Sequence, residues 1–544
     1  MKRSHLLVVI VAPVVLAVVI FSCMVSSKQS RGDNNPSAGA AQPQATASGA
    51  SIDETKVQQT LFVNNQSPAA SDSNPGTEAK PFLTVSQGAR VAQANNEKGI
   101  GTKVYIEPGV YRETVSIPQS GKETTAPFVL EGTDRGDVIL AGSDVWTGWQ
   151  TIAPNLYQHP WPYHWGLAPY PQGWTGNTQL QDIVRRREMI YVNGHPMTQV
   201  LAYSALTDYS FFADENANQV YLQLGSNMTM NGATVEVATR AQVLVAQGKK
   251  SFILRDLVFR HGNAAVDDSS IQVSNSDNVL IEGCTFEWNN WIGLGLTTDS
   301  NMTLHDNTSS RNGSSGFDVY NMKNLVLDTN ETSFNNWRGA RGNFYGWSVA
   351  GSKLGGIHTG LVKNYTATAN RARGLWLDYD NTNLTVDGVT LVWNFNDGLF
   401  IEANVGPILI ENSTISNNQN GAGVAGANSS DVTLLNNALS GNGIEQILIT
   451  GDLHRTVTNW ETNAQQDVQA TRWTIQGNTC TSQGPSEALL ITQNWPPFLT
   501  TLLAANNIWT KSGGQQAFEV GSSWLTFAQW QGTVHTDTTS VFNQ

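Results

Sequence analysis

The sequence predicts an all-β chain wound into a right-handed parallel β-helix that carries an inserted antiparallel β module, and three observations predict it. Short Gly-apolar-x-apolar segments recur, with anchor glycines at Gly293, Gly316, Gly374, Gly398 and Gly421. Their intervals are 23, 58, 24 and 23 residues, the 58 being two periods plus an insertion of about 12. The residue four before each anchor is asparagine: Asn289, Asn312, Asn370, Asn394 and Asn417. Between the anchors lie alternating apolar segments that start at Asn278, Asn301 and Asn324, again 23 apart. Period-2 strands at this repeat are too short for propeller blades and lack the leucine-rich pattern. They fit one solenoid coil each. Equivalent residues of a solenoid stack at about 4.7–4.9 Å, so an asparagine at one turn position forms a hydrogen-bonded ladder, which is a scaffold duty.

The elements follow in chain order. Residues 1–23 begin with Lys2 and Arg3, continue in an apolar run from Leu6 to Phe21 and end at Cys23. A basic start and an apolar run of this length read as an export signal, and Ser22-Cys23 is similar to a bacterial lipoprotein box, in which Cys23 is lipidated. An uncleaved anchor competes with that reading. Both place the body outside the cytoplasm, secreted or surface-anchored, with the membrane reached only through the N-terminus. Residues 24–58 are rich in Ser, Ala, Gln, Asn and Gly and read as a flexible tether. Residues 59–141 are expected to form the N-terminal cap and first coils. In 142–240 the period is absent and aromatic strand-like pieces replace it, so this stretch is the inserted, β-sandwich-like module. The coils occupy 241–480. Residues 481–544, with Trp509, Trp524 and Trp530, close the open end, which would otherwise be an unpaired β edge.

Composition limits function. Charged residues are 14% of the 544, and 31 basic against 44 acidic side chains give a formal charge of −13. The surface must therefore be built from uncharged polar groups. No wide cationic cluster exists beyond Arg185-Arg186-Arg187, which argues against nucleic acid as a partner. Three cysteines allow no disulfide framework.

Residues 61–140 contain Leu61-Phe62-Val63, the loop Ser73-Asn74-Pro75-Gly76 and the turn Pro108-Gly109-Val110-Tyr111. At these positions the chain resembles the opening of secreted pectate-lyase-like β-helix proteins, which implies a first strand, a short helix and a first coil. With the repeats included, the resemblance spans most of residues 60–544.

Strand alternation gives side-chain direction. One and three residues after each anchor the side chains face inward, as at Leu294/Leu296, Phe317/Val319, Leu375/Leu377 and Leu399/Ile401. Two and four residues after it they face outward: Asp318/Tyr320, Trp376/Asp378 and Phe400/Glu402. Asp378 and Glu402 thus share an outward position on successive coils, with Asp380 and Asn404 two residues on. Stacked carboxylates shift each other's pKa values, and a pair about 5–5.5 Å apart is the arrangement of a retaining glycosidase. The two strands around Trp376-Leu377-Asp378 and Phe400-Ile401-Glu402 resemble the catalytic strands of β-helix glycoside hydrolases of the β-xylosidase type. That resemblance implies Asp378 as nucleophile and Glu402 as acid/base, an oligo- or polysaccharide substrate and no cofactor.

The other candidate sugar contacts are Trp376, Asp380, Asn404, Tyr320 and Arg373, with Trp337, Arg341, Trp347 and His358 from and beyond the Gly-rich aromatic insertion expected to wall the site. Two alternatives stand beside the hydrolase. In a polysaccharide lyase, Asp378, Asp380 and Glu402 would supply oxygen ligands to Ca²⁺, and Lys353, Arg371 or Arg373 would act on a uronic acid. A non-catalytic glycan-binding surface protein would use only the aromatics.

Overall fold

The computed structural model describes residues 47–174, 178–451, 455–484 and 488–544. The expected export signal, Cys23 and most of the expected tether lie outside the described residues. Among the described residues no helix is long and apolar enough to cross a membrane.

Three parallel sheets run the length of the solenoid, and the fold is a right-handed parallel β-helix. The first sheet carries the anchor glycines, in strands that include Leu244–Gln247, Ser269–Ser274, Arg373–Leu377, Leu399–Glu402 and Val424–Ala427. The second includes Phe252–Arg255, Asp277–Glu282, Thr382–Asp387 and Ile408–Glu411. The third runs from Gly109–Tyr111 to Val541–Asn543. Three long strands, Ile292–His305, Phe317–Asp328 and Ala350–Lys363, bend from the first sheet into the second. Single left-handed residues make that bend, Asn321 at φ 57° and Asn324 at φ 58° among them. Asparagine tolerates this region better than most residues, one reason for the composition. Leu294, Leu296, Phe317, Val319, Leu375, Leu377, Leu399 and Ile401 all point into one continuous core.

The glycines stack because the coils leave no space for a side chain. A Cβ on Gly316 would lie 2.7 Å from Gly351 O, one on Gly374 2.6 Å from Gly398 O, and one on Gly398 2.9 Å from Gly423 O. Leu399 is in register with Val424, so the anchor expected at Gly421 sits at Gly423. Gly351 supplies an anchor that the 58-residue gap concealed.

The asparagine ladder runs through Asn289, Asn312, Asn335, Asn370, Asn394, Asn418 and Asn442, each side chain after the first accepting from the backbone N–H of the asparagine before it. Asn418 takes the rung expected of Asn417, which instead occupies the left-handed region at φ 57°.

Helix Val85–Asn96 covers the N-terminal end, burying Val85, Ala89 and Ala92 on one face, and Thr84 caps it by accepting from Gln87 N. At the other end Phe527–Val534 begins with a capping box between Thr526 and Gln529. Its Trp530 stacks on Phe518 at 5.1 Å, and Asp537 accepts from the indoles of both Trp509 and Trp530.

Between Val138–Ala141 and Leu244–Gln247 the chain leaves the solenoid and builds two small, mainly antiparallel sheets from strands within 143–238. They enclose Trp161, Phe211, Val220, Leu222 and Val235 as a core of their own. Part of the expected tether is docked instead: Ser48 N and Gly49 N donate to Asn324, Ala50 N to Thr303 and Ser51 N to Asn278. Glu54 then pairs with Arg255. Residues 48–54 cross the second sheet as a strap.

Candidate active site

The outer face of the first sheet carries two rows of side chains. Gln272, Gly295, Asp318, Lys353, Trp376 and Phe400 are register partners on successive strands. Two residues further along lie Thr297, Tyr320 and Gly355. Asp378 and Glu402 continue this second row, each directly after the register pair Leu377 and Ile401. Their backbones are therefore about one strand spacing, ~4.8 Å, apart. Asp378 N donates to Leu354 O at 2.8 Å, which fixes the backbone where the strand ends.

Lys353 is the centre of the cluster. Its Nζ lies 3.1 Å from Asp378 Oδ2, with 9% of the side chain exposed. It also lies 4.4 Å from the Trp376 ring centre and 5.5 Å from that of Tyr320. Burial alone would lower its pKa, but Tyr320, Asp378 and Asp318 around it raise it. Asp318, in the same row one coil earlier, is 7% exposed, and its Oδ1 has no hydrogen-bond partner. Burial, reinforced by Asp267 and Asp378 and opposed by Lys353 and Ser315, pushes Asp318 up to about 7. Asp267, though an exposed residue, is also raised, by desolvation of its carboxyl and by Asp268, against the pull of Lys353.

One border of the cluster is formed where these strands begin. Arg373 donates from Nε to Asp397 at 2.9 Å and lies over both Trp376, at 4.6 Å, and Phe400, at 4.3 Å. Trp376 and Phe400 are 5.3 Å apart. Beyond Asp397, burial pushes Glu445 up to about 7, and Asp397 and Glu519 add to the shift. The 12-residue insertion reaches this edge through Tyr345, which stacks on Phe395 at 4.0 Å.

The opposite edge is a hairpin of strands Arg455–Thr458 and Gln465–Val468. Arg455 pairs with Glu402. Thr458 N donates to the Tyr379 hydroxyl, Trp460 N donates to Asp380 Oδ2 at 3.1 Å, and Trp460 Nε1 donates to Gly356 O at 2.8 Å. His358 bridges Asp380 at 3.2 Å and Glu461 at 2.5 Å. Burial opposes protonation of that imidazole, but the two carboxylates raise its pKa.

The structure thus gathers Asp378, Glu402, Trp376, Tyr320 and Arg373 on one face of the first sheet and separates the rest. Asn404 is a fully buried ladder residue: it accepts from Asn381 and donates to Leu377 O, so it has no free group for a sugar. Asp380 is buried at the corner and holds the hairpin. His358 lies beside it, between Asp380 and Glu461. Trp337 packs with Met189, Tyr191, Ala238 and Trp288, and Arg341 donates to Gln199 O, so both bind the insertion to the β module instead of walling the site. Trp347 is 46% exposed and meets Trp174 edge-on at 4.4 Å. Trp376, 3% exposed beneath Lys353 and Arg373, is a floor and not an open stacking surface.

The three carboxylates named for Ca²⁺ each have a cationic or imidazole neighbour: Asp378 faces Lys353, Asp380 faces His358 and Glu402 faces Arg455. Among the described residues no three His, Cys, Asp or Glu side chains gather as a metal site. Residues missed from the sequence are Asp318 as Lys353's neighbour, Arg455 and Tyr345. Gly351 was the signal for the first: with that anchor in place, Lys353 falls between Asp318 and Trp376.

A family model described as right handed beta helix region matches residues 218–391 and 341–461. The structure of XylC in complex with xylose superposes with a TM-score of 0.63 at 13% identity, covering 89% of this chain and 86% of that one. A structure described as a glycoside hydrolase gives 0.51 at 10% identity over 88% and 99%. The Bacillus subtilis (strain 168) protein YwoF is 34% identical over 79 residues, which are 14% of this chain and 15% of that protein's length. Family match and superpositions agree with the parallel β-helix.

Proposed function

We propose that this chain is an extracytoplasmic glycoside hydrolase that cleaves with retention, using Asp378 as nucleophile and Glu402 as general acid/base. The carrying observation is the register, which sets both carboxylates on one outward row of adjacent coils. Asp378 Oδ2 faces Lys353, so Oδ1 is the oxygen that attacks the anomeric carbon. The glycosidic bond breaks as Glu402 gives its proton to the leaving oxygen, and an ester to Asp378 forms. Glu402 then takes a proton from water, whose oxygen displaces Asp378 and restores both groups. The reading requires Arg455, on the exposed hairpin, to release Glu402 when the leaving group docks. A xylose-bound structure and a glycoside hydrolase among the structures of the same fold support the reaction class.

The substrate is a neutral glycan. Lys353 and Arg373, two of the three cations named for the lyase alternative, already face Asp378 and Asp397, which favours a neutral glycan over a uronate. We further infer that Cys23 or an uncleaved signal anchors the body outside the membrane. Azide tests the two roles. With an activated aryl glycoside, Asp378→Ala should regain turnover with inversion and Glu402→Ala with retention. Near-wild-type hydrolysis by either variant without azide overturns the assignment.

A further inference from the structure

Lys353 stands between two carboxylates and serves one of them. Asp318 precedes it in the same row, Asp378 follows it diagonally on the next coil, and Tyr320 and Trp376 complete its surroundings. Its ammonium pairs with Asp378 at 3.1 Å, which leaves Asp318 Oδ1 buried and unpartnered. A buried ionised carboxylate without a partner is strongly disfavoured. Two ionised carboxylates would therefore compete for one cation. With Oδ1 unpartnered, the arrangement seen favours Asp318 in its protonated form.

Resting on the hydrolase reading, we propose that Asp318 is a positioning residue that decides which carboxylate Lys353 serves: protonated, it leaves Lys353 to Asp378, and ionised, it draws the ammonium away and disables the nucleophile. The groups that face Asp318 fit this role. Lys353 and Ser315 favour its ionised form, while burial, Asp267 and Asp378 oppose it, and the balance puts the change at about 7. Asp267, an exposed residue, adds its charge to this balance and is itself drawn on by Lys353. Loss of activity on the alkaline side is then the displacement of Lys353, with Asp378 itself unchanged in charge.

The test is the pH profile of kcat/KM for wild type and Asp318→Asn on the same aryl glycoside. The wild-type alkaline limb should fall near neutral pH, and in Asp318→Asn it should move upward by at least about one unit, since the amide cannot ionise. Superimposable limbs overturn the proposal. Asp318→Ser, which is smaller and also uncharged, gives the same comparison if the amide variant does not fold. A second readout needs no turnover: carboxyl-¹³C NMR of Asp-labelled protein, assigned with the Asp318 and Asp378 variants, together with the ¹⁵N shift of Lys353 Nζ. One carboxyl should titrate near neutral pH, vanish in Asp318→Asn and be tracked by the Lys353 resonance. An Asp318 carboxyl ionised throughout pH 5–9 with a flat Lys353 signal refutes the switch. If the linked titration is seen but no glycan is cleaved at any pH, the positioning stands and only the hydrolase reading falls.

Discussion

At Lys353 a single side chain joins scaffold and chemistry. It is almost buried, it is the counter-ion of Asp378, and it lies over the Trp376 ring. Methionine has nearly the same length and no charge, so Lys353→Met would leave Asp378 and Asp318 without their shared cation. Removal of one partner of a buried pair costs about 3–5 kcal/mol, and loss of a preorganised electrostatic contact lowers kcat by about 10²–10³. Steady-state kinetics and a thermal melt should show both losses; an unchanged kcat would place Lys353 outside the reaction. Arg455→Ala should act differently. Its partner Glu402 sits at the rim, so the substitution should alter kcat by less than about tenfold and leave the melting temperature within about 2 °C, in keeping with the small worth of exposed pairs.

Among the elements, the polar ladder is the most demanding. Asn394 accepts from Asn370 N and Nδ2 and donates to Ala367 O and Asn418 Oδ1, all in the interior. Unsatisfied buried groups cost about 1–3 kcal/mol each, so Asn394→Ala should lose at least about 3 kcal/mol in urea unfolding. A smaller loss would mean that the ladder is ornamental. Asp299 does similar work with the wrong chemistry: it accepts from Ser276 N at 2.6 Å, its Oδ2 is unpartnered, and burial pushes it up to about 8. In the unfolded chain an aspartate ionises near 3.9. The folded state is therefore favoured below that value and loses stability as pH rises toward 8. Asp299→Asn should abolish this slope, raising the melting temperature by about 2–5 °C at pH 8 and not at pH 4. The repeat was legible because these ladders force asparagine and glycine at fixed spacing. The slip at the fifth anchor has a physical cause: Gly421-Ala422-Gly423 offers two equivalent glycines and Asn417-Asn418 two adjacent asparagines, and only packing distinguishes the rung from the left-handed turn.

Across the whole molecule, what the sequence concealed came from segments without the period. The insertion at 337–348 could be counted as extra residues, but its Trp337, Arg338 and Arg341 find partners on the β module, more than 100 residues earlier, and no local pattern reports that. The hairpin that brings Arg455 to Glu402 is hidden for the same reason. Composition also misassigned residues 47–58, whose Ser, Gly and Ala suit a tether yet bind the second sheet through backbone N–H groups. A fragment that begins at residue 47 should melt at least about 2 °C above one that begins at 59, because the latter exposes Asn278, Thr303 and Asn324 and leaves Arg255 without Glu54. Equal melting temperatures would show that the strap contributes nothing.

The central claim, that Asp378 forms a covalent link to a sugar, is tested most directly by mass spectrometry of the protein after incubation with a panel of activated 2-deoxy-2-fluoro glycosides. One glycosyl unit should be added by one member of the panel, located on the peptide that holds Asp378 and absent from Asp378→Asn. Turnover of the matching glycoside with no adduct, or an adduct on another residue, would contradict the account.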